Sequence, residues 1–152
     1  MTGVQTCALP IFKNAKVQAI DKDSAFNTTI IKSSVEGFVN YYEGGYTHNS
    51  FICFKNFDLS NINNISIRTN SKDANGKMEL RLDSSTGKVV ASFPIKAAGA
   101  WEKWSVVNAP LKPTNGFHNL YFVFVHNDPT SMDAINFNWM QFNKAKGIVS
   151  LK

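Results

Sequence analysis

Lys77-Met-Glu-Leu-Arg-Leu-Asp83 decides the fold class. Met78, Leu80 and Leu82 alternate with Glu79, Arg81 and Asp83, so an extended chain here has one apolar and one charged face. A period of two marks a strand that lays one face on a core. Ser84-Ser-Thr-Gly87 supplies a turn and Lys88 to Ile95 returns, which predicts a hairpin.

Working outward, Leu120-Tyr-Phe-Val-Phe-Val125 is a continuous apolar and β-branched run, as a central strand requires. Ile135 to Phe142 alternates and reads as the last strand. Upstream, Ile65 to Thr69 and Phe51 to Phe57 read as strands, and Lys16 to Ile20 as a weak first one. Gly37, Gly44 and Gly45 make Glu36 to Tyr46 read as loop or turn. Trp101 to Val107 follows the small-residue loop Lys96 to Ala100. If that strand begins at Trp101, Trp101 and Trp104 have opposite parity, which sends Trp101 outward and Trp104 into the core. About eight strands between turn signals, with no amphipathic helix, predict an all-β antiparallel β-sandwich.

The 152 residues suffice for one domain with a sizeable core, and 43% hydrophobic content favours folding over disorder. The net charge is +5, yet the lysines are scattered and only Arg68 and Arg81 are arginine. Nucleic-acid binders cluster their basic residues and favour arginine forks, so nucleic acid is not an expected partner. No stretch approaches the ~20 apolar residues of a membrane helix, and no membrane partner is expected. The two cysteines, Cys7 and Cys53, are too few for a disulfide framework. Cys53, within Phe51-Ile-Cys-Phe54, reads as a small core residue. Residues 1–12 read as a non-native scar, 13–145 as the folded unit and 146–152 as a tail. On that reading the native N-terminus and any tethered domain are missing.

Catalytic chemistry is sparse. His48, His118 and His126 have no partner at metal-ligand spacing, and no nucleophile elbow or phosphate loop is present. Glu79 and Asp83 could form a carboxylate pair for glycoside hydrolysis, but beside Arg81 they read as mutually offset surface charges. The chain is not expected to be an enzyme.

Four stretches, in order and spacing, resemble a family 6 carbohydrate-binding module. They are Gly45 to Asp58, Met78 to Gly87, Ala98-Gly-Ala-Trp-Glu-Lys-Trp104, and Gly116 to Phe124 followed by Ile135-Asn-Phe-Asn-Trp139. The resemblance runs from about Lys16 to Phe142 and implies a galactose-binding-like β-jelly roll. It implies a glycan clamp in the loops at one end, formed by Tyr46, Trp101 and Asn136. Flat rings attract the axial C–H face of a pyranose, and an amide offers both a donor and an acceptor to vicinal hydroxyls. The ring is neutral, so net charge contributes little to that contact. A second family site lies on a sheet face, where sequence alone assigns no residue.

The resemblance also implies a structural calcium, here in weakened form. Ile20 stands where an oxygen ligand is needed, leaving Gln18, Asp21 and Asn138 as the candidate set. The implied partners are a β-glycan, whether xylan, cello-oligosaccharide or β-glucan, and tethered catalytic domains. A monomer is expected, in a bacterial secreted or cell-surface protein. The competing expectation is a structural or protein-interaction sandwich that has lost sugar binding.

Overall fold

The computed structural model describes residues 15–35 and 38–144. The proposed scar, 1–12, and tail, 146–152, lie outside the described residues.

The charged-apolar hairpin sits inside a five-stranded antiparallel sheet. Its strands are β2 (Ser24–Phe26), β5 (Phe51–Asp58), β10 (Phe117–His126), β7 (Gly76–Leu82) and β8 (Val89–Ile95), in that spatial order. The apolar run of β10 occupies the centre. Opposite lies a second antiparallel sheet in the order β3 (Thr29–Val35), β4 (Phe38–Tyr46), β11 (Ile135–Lys144), β6 (Ile62–Ser71), β9 (Ser105–Pro110). The short β1 (Lys16–Gln18) also pairs with β11, at Trp139 to Gln141, and a 3₁₀ turn, Ala19–Asp21, follows it. The all-β antiparallel sandwich read from the sequence is therefore the observed architecture.

Inward-facing residues of the two sheets interdigitate. Met78, Leu80, Leu120, Phe122 and Phe124 meet Ile65, Ile67, Phe137 and Met140, all fully buried. Phe122 is the hub of this layer, with ring centroids 5.2 Å from Phe137, 6.1 Å from Phe54 and 6.4 Å from Phe93. Burying one such side chain is worth about 1.5–3 kcal/mol.

The stretch expected to be a loop, Glu36 to Tyr46, contains β4. Its glycines mark a β-bulge, not a turn: Tyr46 pairs with Ile135 and Glu43 with Phe137, so β4 spends one residue more than β11 over that interval. Gly45 takes φ +66, the left-handed value that the extra residue of such a bulge needs. The bulge re-aims Tyr46. Expected as a ligand contact, Tyr46 is fully buried instead. Its hydroxyl donates to the Phe122 carbonyl at 2.7 Å and accepts from the Ile52 amide at 3.0 Å, so a side chain of one sheet is bonded to the backbone of the other. Burial pushes its phenol well above the ordinary range.

At the far end, His118 faces two acceptors, the Asp83 carboxylate at 2.9 Å and the Asn115 carbonyl at 3.0 Å. The Asp83 hydrogen bond raises the His118 pKa above its ordinary 6.5, and the same contact lowers that of Asp83. The stabilisation from charged His118 is fully present below pH 6.5 and is lost as pH rises through the raised value. Urea melts from pH 6 upward should therefore show stability falling toward pH 9, and His118→Gln should flatten the profile. Tyr46→Phe should lower unfolding free energy by about 1–2 kcal/mol. If Tyr46 is a strut rather than a ligand contact, that variant keeps any glycan binding intact in an affinity gel.

Candidate functional site

The outer face of the six-stranded sheet is furnished by strand parity. On β6, Ile67 and Thr69 point inward, which turns Arg68 and Asn70 outward; on β11, Asn136 stands opposite Asn70 in the register. Asn40 and Tyr42 of β4 share this face. Gly44 leaves the space Asn136 needs, since a Cβ there would collide with Ile31 and sit 2.7 Å from the Asn136 Oδ1.

A loop strap, residues 96–104, crosses the end of this face. It is tied down by Ala98 N–H to the Ser71 carbonyl (2.8 Å) and Gly99 N–H to the Lys72 carbonyl (2.9 Å). The Asn70 amide nitrogen donates to the Trp101 carbonyl. Sheet and strap enclose a cleft of about 440 Å³ bordered by Tyr42, Arg68, Asn70, Trp101, Glu102 and Trp104. The Trp101 ring is 42% exposed, as expected. Trp104 is not core: β9 begins only at Ser105, so strand parity does not apply to it. Its ring meets Tyr42 edge-on at 5.1 Å, and the Arg68 guanidinium lies over it at 4.6 Å. The expected clamp of Tyr46 with Trp101 is thus not formed. The aromatic wall consists of Trp101 with Tyr42 and Trp104.

The polar floor is unusual. Asn70, whose residue borders the cleft, is 4% exposed, and its Oδ1 is buried without a hydrogen-bond partner in the protein. Asn136, 5% exposed, lies beside it. Sequence parity against Ile65 and Ile67 could have singled out Arg68 and Asn70, but nothing local marked the strap that closes over them.

The family model for carbohydrate binding module family 6 matches residues 18–144. The chain is a family 6 carbohydrate-binding module. An arabinoxylan arabinofuranohydrolase of Paenibacillus polymyxa is 33% identical over 72 residues, 47% of this module; the matched part is 11% of that relative's length. The fold is shared with a family 6 module of Clostridium cellulolyticum solved with xylose (TM-score 0.74, 23% identity, 84% of this chain and 95% of that one). It is shared also with a β-1,3-glucan-binding module of Bacillus halodurans (TM-score 0.76, 22% identity, 85% and 95%). The family is one of non-catalytic binding units. Of the two acids singled out in the sequence, Glu79 is paired with Arg81 at 2.6 Å and Lys77 at 3.1 Å, and Asp83 with His118 at 2.9 Å.

The module's other sheet carries a second apolar platform. Phe26 and Phe51 stack at 5.6 Å, and Phe51 meets Tyr121 at 5.4 Å, over a shallow cleft of about 380 Å³ beside Arg81. Cys53 is buried in this outer layer, hydrogen-bonded to Tyr121 and Ser24. Burial raises its thiol pKa.

The calcium set implied by the resemblance does not fit. Asn138 is buried, its Oδ1 accepts from the Arg68 guanidinium at 2.7 Å, and its amide nitrogen reaches Asn40 Oδ1 and the Tyr41 carbonyl. An oxygen already serving a cation is a poor ligand for a second. Gln18 lies on β1 and Asp21 ends the 3₁₀ turn that follows, and no cluster of three His, Cys, Asp or Glu occurs among the described residues. Beside that turn, Glu43 is fully buried and bonded by Lys22 Nζ at 2.6 Å and Thr28 Oγ1 at 2.8 Å. The positive charge here is covalently part of the chain. Lys22→Met strands a buried carboxylate and should cost about 3 kcal/mol in chemical denaturation. Melts of the wild type with calcium and with chelator should coincide.

Proposed function

We propose that this module tethers a larger bacterial extracellular glycan-degrading protein to a β-linked polysaccharide, holding the chain in the Trp101 cleft. One observation carries the reading: the exposed Trp101 borders an open cleft together with Tyr42, Trp104 and the polar side chains of Asn40, Arg68 and Asn70. A pyranose suits that lining, its C–H face on Trp101 and its hydroxyls toward the polar side chains of the cleft. Asn136 adds a donor and an acceptor for a neighbouring hydroxyl. The xylose and β-1,3-glucan of the structural neighbours and the arabinoxylan of the hydrolase relative support a β-linked glycan. That hydrolase relative also supports a catalytic partner on the same chain, with the module contributing local concentration.

Each aromatic contact adds about 0.5–1.5 kcal/mol beyond area burial, and ordering costs offset part of that. A dissociation constant of about 10 μM to 1 mM follows. Trp101→Ala should abolish retention in xylan and β-glucan affinity gels while the circular dichroism spectrum stays that of the wild type. Retention that survives Trp101→Ala but disappears on adding Phe26→Ala would move the site to the Phe26–Phe51–Tyr121 platform.

A further inference from the structure

Of the cations among the described residues, Lys22, Lys77, Arg81 and His118 pair with acids, whereas the rest, those around the strap among them, do not. Glu43 is paired with Lys22, Glu79 with Lys77 and Arg81, and Asp83 with His118. Among the described residues, Arg68, Lys96 and Lys103 form no ion pair. Arg68 is partly desolvated, lying on Trp104 with one N–H given to Asn138. Lys96 and Lys103 border a second cleft of about 240 Å³, whose lining is otherwise apolar (Pro94, Ile95, Val107) or small and polar (Thr69 to Ser71, and Ser105). No acidic residue lines it. This cleft and the Trp101 cleft share Asn70, and residues of the strap border both. Glu102, the one carboxylate within the strap, is exposed and borders the Trp101 cleft.

A neutral sugar accounts for the indole and the amides but not for these charges. Two like charges bordering one concave surface raise the local potential, and an anion relieves it. We infer that the glycan held by this module carries an acidic substituent, a uronate carboxylate or a sulfate ester, and that Lys96 and Lys103 receive it in the cleft beyond Asn70. The chain's neutral backbone lies on Trp101, and the charged branch selects among glycans. This inference rests on the Trp101 cleft being the glycan site.

Calorimetric titration with three ligands tests it: a neutral xylo-oligosaccharide, the same oligosaccharide bearing one glucuronate, and the same bearing one sulfate. At low salt at least one acidic ligand should bind about 5- to 10-fold tighter than the neutral one, and which of them gains identifies the substituent. The advantage should collapse at about 0.5 M salt and in the Lys96→Gln/Lys103→Gln double variant, with affinity for the neutral ligand unchanged. Equal affinities for all three, or an acidic advantage that survives the double variant, would overturn the inference and leave the Trp101 site standing. Failure of the wild type to bind any of the three would sink both.

Discussion

Tyr46 leaves β4 at a glycine bulge, crosses the core and closes on the β5–β10 pairing by donating to Phe122 and accepting from Ile52. Sheets in a sandwich are otherwise joined by apolar contact, which is strong but tolerant of sliding. A directional bond between them fixes how one sheet sits on the other, and it does so at Phe122, where the aromatic core converges. The bulge that aims Tyr46 inward also brings Gly44 under Asn136, so alignment of the sheets and furnishing of the cleft are set by the same two glycines.

The cleft itself is assembled from two kinds of element. Strand β6 holds Arg68 and Asn70 with little freedom, because each alternates with a buried neighbour, and Asn136 of β11 stands opposite Asn70 in the register. The strap adds the aromatic wall, and it is anchored to the end of β6 by backbone bonds rather than by packing. A rigid polar floor under a hydrogen-bonded aromatic roof suits a ligand whose hydroxyl pattern must be read while its flat faces are merely covered.

Much of this was legible in the residues. The alternation of β7, its return in β8 and the apolar run of β10 gave the sandwich, because each signal is local and periodic. Trp101 was legible because a run of small residues precedes it. The failures have specific causes. Glycine serves turns and bulges alike, so Gly44-Gly45 hid a strand and, with it, the inward course of Tyr46. Trp104 was given a strand parity it does not possess. Asn138 looked like an oxygen ligand because its partner, Arg68, lies on a strand 70 residues away in sequence. Arg68 and Asn70 escaped notice because their role depends on a loop brought over them only by the tertiary fold.

The Lys22–Glu43 pair has a consequence for where such a module can work. Polysaccharides rich in carboxylate groups sequester hard divalent ions, since several oxygens at close range are what those ions prefer. A sandwich whose internal counter-charge could diffuse away would soften in such surroundings. Here the counter-charge sits on a side chain and stays put however avidly the surroundings scavenge metal.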